Sequence, residues 1–128
     1  MSVAIEISYG ELIDKITILE IKASRVTDAE KLLNIRYELE LLSAVRESQI
    51  DTSAAVAELT RELRAVNEIL WGVEDRIRDK ERRLSFDAEF IELARSVYRT
   101  NDRRAELKRK LNDLLGSRIV EEKTYQPY

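Results

Sequence analysis

Between residues 54 and 84 the apolar side chains fall at Val56, Leu59, Leu63, Val66, Leu70, Val73, Ile77 and Leu84, mostly in steps of three and four. Such a seam belongs to one long α-helix that needs a partner along its length, in the manner of a coiled coil. Only Lys80 breaks it. With three glycines and one proline in 128 residues, the chain has few means of interrupting a helix, and its start and stop signals are well spaced. Ser8 followed by Glu11 is a capping box that opens a first helix near Tyr9, running to about Ser24. Thr27 followed by Glu30 repeats the device for a second, reaching about Glu47. Polar residues 48–53 make a turn, and the long seam begins near Ala54. Asp87 caps a fourth helix that runs to about Leu115, where Gly116 is placed to close it in a left-handed turn.

The pattern predicts an all-α chain: one antiparallel four-helix bundle over residues 1–128, with two long C-terminal helices of roughly 40 Å each and extended tails. Val3, Ile5 and Ile7 alternate with Ser2, Ala4 and Glu6, while residues 118–128 have no helical period. In an up-down-up-down bundle both tails emerge at one end. There they either pair as a short ladder or simply pack on the bundle.

Composition removes whole classes of chemistry. Without cysteine there is no disulfide scaffold, thiol catalysis or cysteine–zinc site, and without histidine no Ser–His–Asp triad or imidazole acid–base work. No cofactor is implied, and any metal would be a hard cation on carboxylates. No apolar run approaches the ~20 residues of a membrane span. Residues 1–10 lack the basic start and apolar core of a signal peptide, so the expected location is cytoplasmic.

Helical phase then separates inside from outside. On the fourth helix Phe90, Leu93, Ala94, Val97, Leu111 and Leu115 form the core face, opposite a solvated face rich in Arg and Glu. On the core-facing arc also sit Asn101, Arg104, Lys108 and Asn112. Buried amides and cations cost several kcal/mol unless partnered, so these four require partners, water or a ligand. The first helix has the complementary anomaly, Glu20 within the apolar arc of Tyr9, Leu12, Ile13, Ile16, Leu19 and Ala23. The predicted outcome is a shared polar network. It either fixes helix register or forms a pocket for a small anionic or sugar-like ligand. The second helix is apolar on two sides, with Leu32, Ile35, Leu39 and Leu42 on one and Leu33, Tyr37, Leu41 and Ala44 on the other. Such a helix is either central within its own bundle or covered by a second chain, and the long helices of a small chain favour the second, a homodimer.

Charge is uneven. Residues 1–75 hold 8 Lys/Arg against 15 Asp/Glu, and residues 76–110 hold 12 against 7. Acids interleave with the basic segment and only Tyr98 neighbours the arginines of the fourth helix, so salt-bridged solvated faces account for it better than nucleic-acid binding. Glu58 with Glu62, or Glu89 with Glu92, have magnesium-ligand spacing, but Glu58, Glu62 and Glu92 lie outside the apolar seams, so solvated ion pairing is the stronger reading. Ile13-Asp14-Lys15-Ile16 is superficially similar to the first helix of chorismate mutases. Arg104 and Lys108 could serve such a site, whereas Arg25 lies on the outer side. Trp71 beside Gly72 reads as packing at a partner surface.

Three segments taken together, ISYGELIDKITILEIK (residues 7–22), LWGVEDRIR (residues 70–78) and VYRTNDRRAELKRKLNDLLGSRIVEEKTY (residues 97–125), resemble a bacterial family catalogued only as a domain of unknown function. The resemblance spans nearly the whole chain. It implies a small stand-alone cytosolic protein and carries over no catalytic residue. The resemblance and the helical phase meet at Glu20, Asn101, Arg104 and Lys108, which together with Tyr98 and Asn112 make the candidate ligand-binding set. The expected function is a dimeric helical interaction or binding module. The alternative is a small-molecule enzyme with Glu20 as acid or base and Arg104 and Lys108 clamping developing negative charge.

Overall fold

The computed structural model describes residues 1–128. Four helices follow in order: α1 (Tyr9–Arg25), α2 (Ala29–Gln49), α3 (Ala54–Arg82) and α4 (Ala88–Leu115). Each begins on a side-chain cap. Ser8, Ser53 and Asp87 accept hydrogen bonds from the backbone N–H groups of Glu11, Val56 and Phe90. At α2 the cap is Asp28, which accepts from the Lys31 N–H at 2.9 Å, one residue beyond the predicted Thr27. A carboxylate there satisfies the same free donor and also complements the helix dipole. Gly116 ends α4 at φ 68°, in the left-handed region where a Cβ is disfavoured.

α3 and α4 form a long antiparallel hairpin. α1 lies along the half of it nearer the chain termini, antiparallel to α4, with Gly10 beside Asn112 and Asp14 beside Arg104. Leu12, Ile13, Ile16, Leu63, Leu107 and Leu111 make the centre of the core. Leu107, outside the predicted core face, is fully buried; Ala94, predicted within it, is exposed. α2 packs against α1 and approaches neither long helix. Its Leu39 and Leu42 reach the edge of the core, and no residue of α2 is buried.

Seventeen residues of α1 cover about 25 Å, against about 43 Å for the 29 residues of α3. The hairpin therefore extends well past the helix that covers its base. Every side-chain hydrogen bond and ion pair made by residues 76–96 stays within the hairpin. At its turn Leu84 takes φ 54°, and Lys80 is buried against Asp87 at 2.8 Å and Glu89 at 3.2 Å. The tails form no strand pair. The C-terminal segment folds back along α4 through side chains instead: Lys123 pairs with Asp102 at 3.0 Å, and the Tyr128 hydroxyl donates to the same carboxylate at 2.6 Å. No helix is long and apolar enough to cross a membrane.

Candidate functional site

The densest polar arrangement lies where the first turns of α1 meet the last turns of α4. The close approach begins with a glycine. A Cβ on Gly10 would fall 2.5 Å from the Lys108 carbonyl oxygen and 2.9 Å from Asn112 Oδ1. Backbone can meet backbone here only because that atom is absent. The contact settles donors that the start of any helix leaves free. The Glu11 N–H donates to Ser8 Oγ at 3.1 Å, and the Gly10 N–H donates to Asn112 Oδ1 at 2.7 Å. Asn112 then uses its own amide N–H to reach Glu121 Oε2 at 3.0 Å, and the Ser8 hydroxyl donates to the other oxygen of Glu121. Burial pushes the Glu121 carboxyl up, but the hydrogen bonds from Ser8, from its own backbone N–H and from Asn112, with the charge of Lys108, outweigh it and hold the group below the usual carboxylate range.

One turn further along α1, Asp14 is fully buried. Arg104 grips it from α4, with Nε at 3.0 Å from Oδ1 and Nη2 at 2.5 Å from Oδ2. This two-pronged geometry is the strong form of a charged hydrogen bond, and it raises the Arg104 guanidinium above its ordinary value. Asn67 arrives from α3 and donates to Asp14 Oδ1 and to Thr17 Oγ1, both at 2.9 Å. Lys108 pairs with Glu11 at 2.5 Å and stands 4.0 Å from Asp14. Glu11 thus turns away from the reciprocal bond that the capping box predicts. No buried side-chain nitrogen or oxygen in the chain lacks a hydrogen-bond partner.

Of the residues predicted from sequence, Arg104, Lys108 and Asn112 enter this cluster, and Asn101 flanks it, its Oδ1 at 3.5 Å from Arg104 Nη1. Tyr98 does not; it stands half-exposed with its ring edge-on to Tyr128, centroids 5.0 Å apart. Glu20 does not either. Its side chain retains 35% exposure and faces Arg64 at 3.6 Å, so the inward carboxylate of α1 is Asp14 rather than Glu20. Beside the apolar arc of α1 runs a second stripe, Gly10, Asp14, Thr17 and Ile21, all buried against the hairpin, which hydropathy alone does not mark. A small or polar residue at every third or fourth position was the available signal. The acid–base arrangement of Glu20 with two cationic clamps is not assembled. The carboxylates with magnesium-ligand spacing are engaged elsewhere: Glu58 with Arg61, Glu62 with Arg103, Glu89 with Arg76 and Lys80, and Glu92 with Arg95 and Arg99.

A family of unknown function, DUF6165, matches residues 3–128, and the chain belongs to it. No curated protein and no solved structure matches the chain.

Proposed function

We propose that this chain is a helical interaction module that pairs with a second copy of itself through α2, while its polar cluster locks α1 and the C-terminal segment onto the hairpin. The observation that carries the reading is the state of α2. It buries no residue of its own, yet Leu33, Tyr37, Leu41 and Val45, spaced four apart, are 70, 68, 51 and 46% exposed. A helix held on one side by α1 alone leaves an apolar stripe that water disfavours. Two such stripes meeting about a two-fold axis form a self-complementary contact. The lock is preferred to capture of a small anionic or sugar-like ligand by Arg104 and Lys108 because both cations already face carboxylates, three acids to two bases once Glu121 is counted.

Sedimentation of the full chain at micromolar concentration tests this. Twice the chain mass is expected, and Leu41→Glu is expected to halve it with helical circular dichroism unchanged. A monomer for the unsubstituted chain overturns the reading.

A further inference from the structure

Where α1 leaves the hairpin, a groove of about 460 Å³ opens between α1, α3 and α4. It adjoins the polar cluster, whose Asn67 and Arg104 form part of its wall. The cationic groups on its wall are spoken for: Arg104 by Asp14, and Arg78 by Glu74 at 2.5 Å. Both amide hydrogens of Asn67 are used on Asp14 and Thr17. Unmatched hydrogen-bonding groups of both kinds remain, the Asn101 amide N–H and the Trp71 indole N–H among the donors, but the unpaired formal charge is negative. Asn67 is only 5% exposed and its carbonyl oxygen takes no hydrogen bond within the chain, although it reaches accessible space. Asp75, on the rim, has no ion-pair partner. Trp71 adds an indole to the same wall.

An anion would meet unpaired negative charge here. A donor with positive charge would meet a hydrogen-bond acceptor, a carboxylate and an aromatic face, the combination that recognises organic ammonium and guanidinium groups. The chain itself supplies a precedent: the Arg25 guanidinium stands 5.9 Å from the centroid of the Trp71 ring while pairing with Glu68. Length follows from the helix. Asn67 and Asp75 are eight residues apart on α3, about 12 Å along its axis. Between them Leu70, Ile18 and Ile21 offer an apolar bed for methylene groups.

We propose that this groove binds an elongated aliphatic amine, with one ammonium donating to the Asn67 carbonyl oxygen and a second facing Asp75. Trp71 is the only tryptophan of the chain, so its emission reports the groove directly. Spermidine is the probe, with triethylene glycol as a neutral chain of similar reach and pimelate as a dianion. A saturable change in emission with a Kd below about 1 mM is expected for spermidine alone. Asp75→Asn is expected to weaken it by about threefold or more, while Asp51→Asn, which removes an exposed unpaired acid far along the chain, leaves it unchanged. The site is overturned by no saturable response to spermidine, by equal binding of the glycol or pimelate, or by equal weakening in the two variants. None of these outcomes bears on self-association through α2, which sedimentation reads separately.

Discussion

Two ion-pair clusters occupy different reaches of the α3–α4 hairpin, each built on one buried charge, Asp14 at the base and Lys80 at the tip, and they use the same chemistry over different chain distances. At the base, Arg104 and Lys108 meet Asp14 and Glu11 from a helix about ninety residues earlier in the chain. At the tip, Lys80 meets Asp87 and Glu89, seven and nine residues later. The tip pairs form almost as soon as the turn forms, because little chain entropy is lost in closing so short a loop. The base pairs exist only when α1 has docked. The same kind of ion pair therefore shapes a turn in one place and holds a tertiary arrangement in the other.

The widest separation between the two is expected on removing one partner from each. Asp14→Ala leaves Arg104 and Asn67 without their shared acceptor in a site closed by three helices. A loss of about 3 kcal/mol in urea unfolding is expected, near the low end for breaking a buried pair because Arg104 is partly hydrated. Lys80→Met keeps an unbranched chain in the seam and frees two acids that water already reaches. Its urea midpoint is expected to stay put or rise. A larger loss at Lys80 than at Asp14 would reverse the assignment of the two clusters.

Gly10→Ala probes the base from the backbone side. The added methyl meets a helix carbonyl rather than a flexible side chain, so α1 must shift and stretch the Gly10–Asn112 bond. A cost of about 1–3 kcal/mol is expected from such overpacking, read as a lowered thermal midpoint. Gly72, inside α3 with open space around its Cβ position, is the control: alanine there relieves a helix-interior glycine and is expected to stabilise by about 0.5–1 kcal/mol.

These two ends were not equally legible. Lys80 appeared in the sequence as the single break in an apolar seam, and Asp87 as a cap, so both halves of the tip cluster lay within one short window. The helix ends were similarly local, set by Ser8, Ser53, Asp87 and Gly116. At the base, the phase of α4 picked out Arg104, Lys108 and Asn112 as inward groups, but their partners lay on another helix whose rotation and depth no local pattern fixes. Glu20 looked inward because it sat among leucines and isoleucines. Asp14 looked unremarkable because its neighbours on the buried stripe are Gly10, Thr17 and Ile21, and glycine and threonine carry little hydrophobic signal. The groove beside the cluster was invisible for a related reason: it arises from the difference in length between α1 and α3.

Acid should distinguish the turn at the tip from its helices. The Lys80 hydrogen bond, then the Phe90 backbone N–H, hold the Asp87 carboxyl down at about 2, against 3.8 for an ordinary aspartate, and Glu89 is lowered by the same lysine and by Arg76. A depressed carboxyl contributes stability above its unfolded value and loses it as pH falls through the folded one. The contribution from Asp87 should therefore disappear between about pH 4 and pH 2, and the loss should show as a fall in protection of the Phe90 amide, its exchange taken relative to the intrinsic rate at each pH. Lys80 is raised by Asp87 and Glu89, so its share also goes in acid as those carboxylates are protonated, and on the alkaline side it fades only in strong alkali. Protection at Phe90 that stays constant down to pH 2 would mean that the cap holds without its charge.

The smallest effect is the one that most directly separates the two acids of α1. Glu20 is a little over one-third exposed and stands 3.6 Å from an Arg64 that is also hydrated. Such a pair gains little over its two solvated ions, so Glu20→Gln is expected to change stability by less than about 0.5 kcal/mol. Asp14→Asn removes the same charge six residues earlier and keeps nearly the same shape, but it presents an amide N–H where the Arg104 and Asn67 donors require acceptors. A substantial loss for Asp14→Asn beside near-neutrality for Glu20→Gln is the expected pattern. Equal losses would place Glu20 inside the network after all, and the orientation of α1 described here would have to turn about its axis to accommodate it.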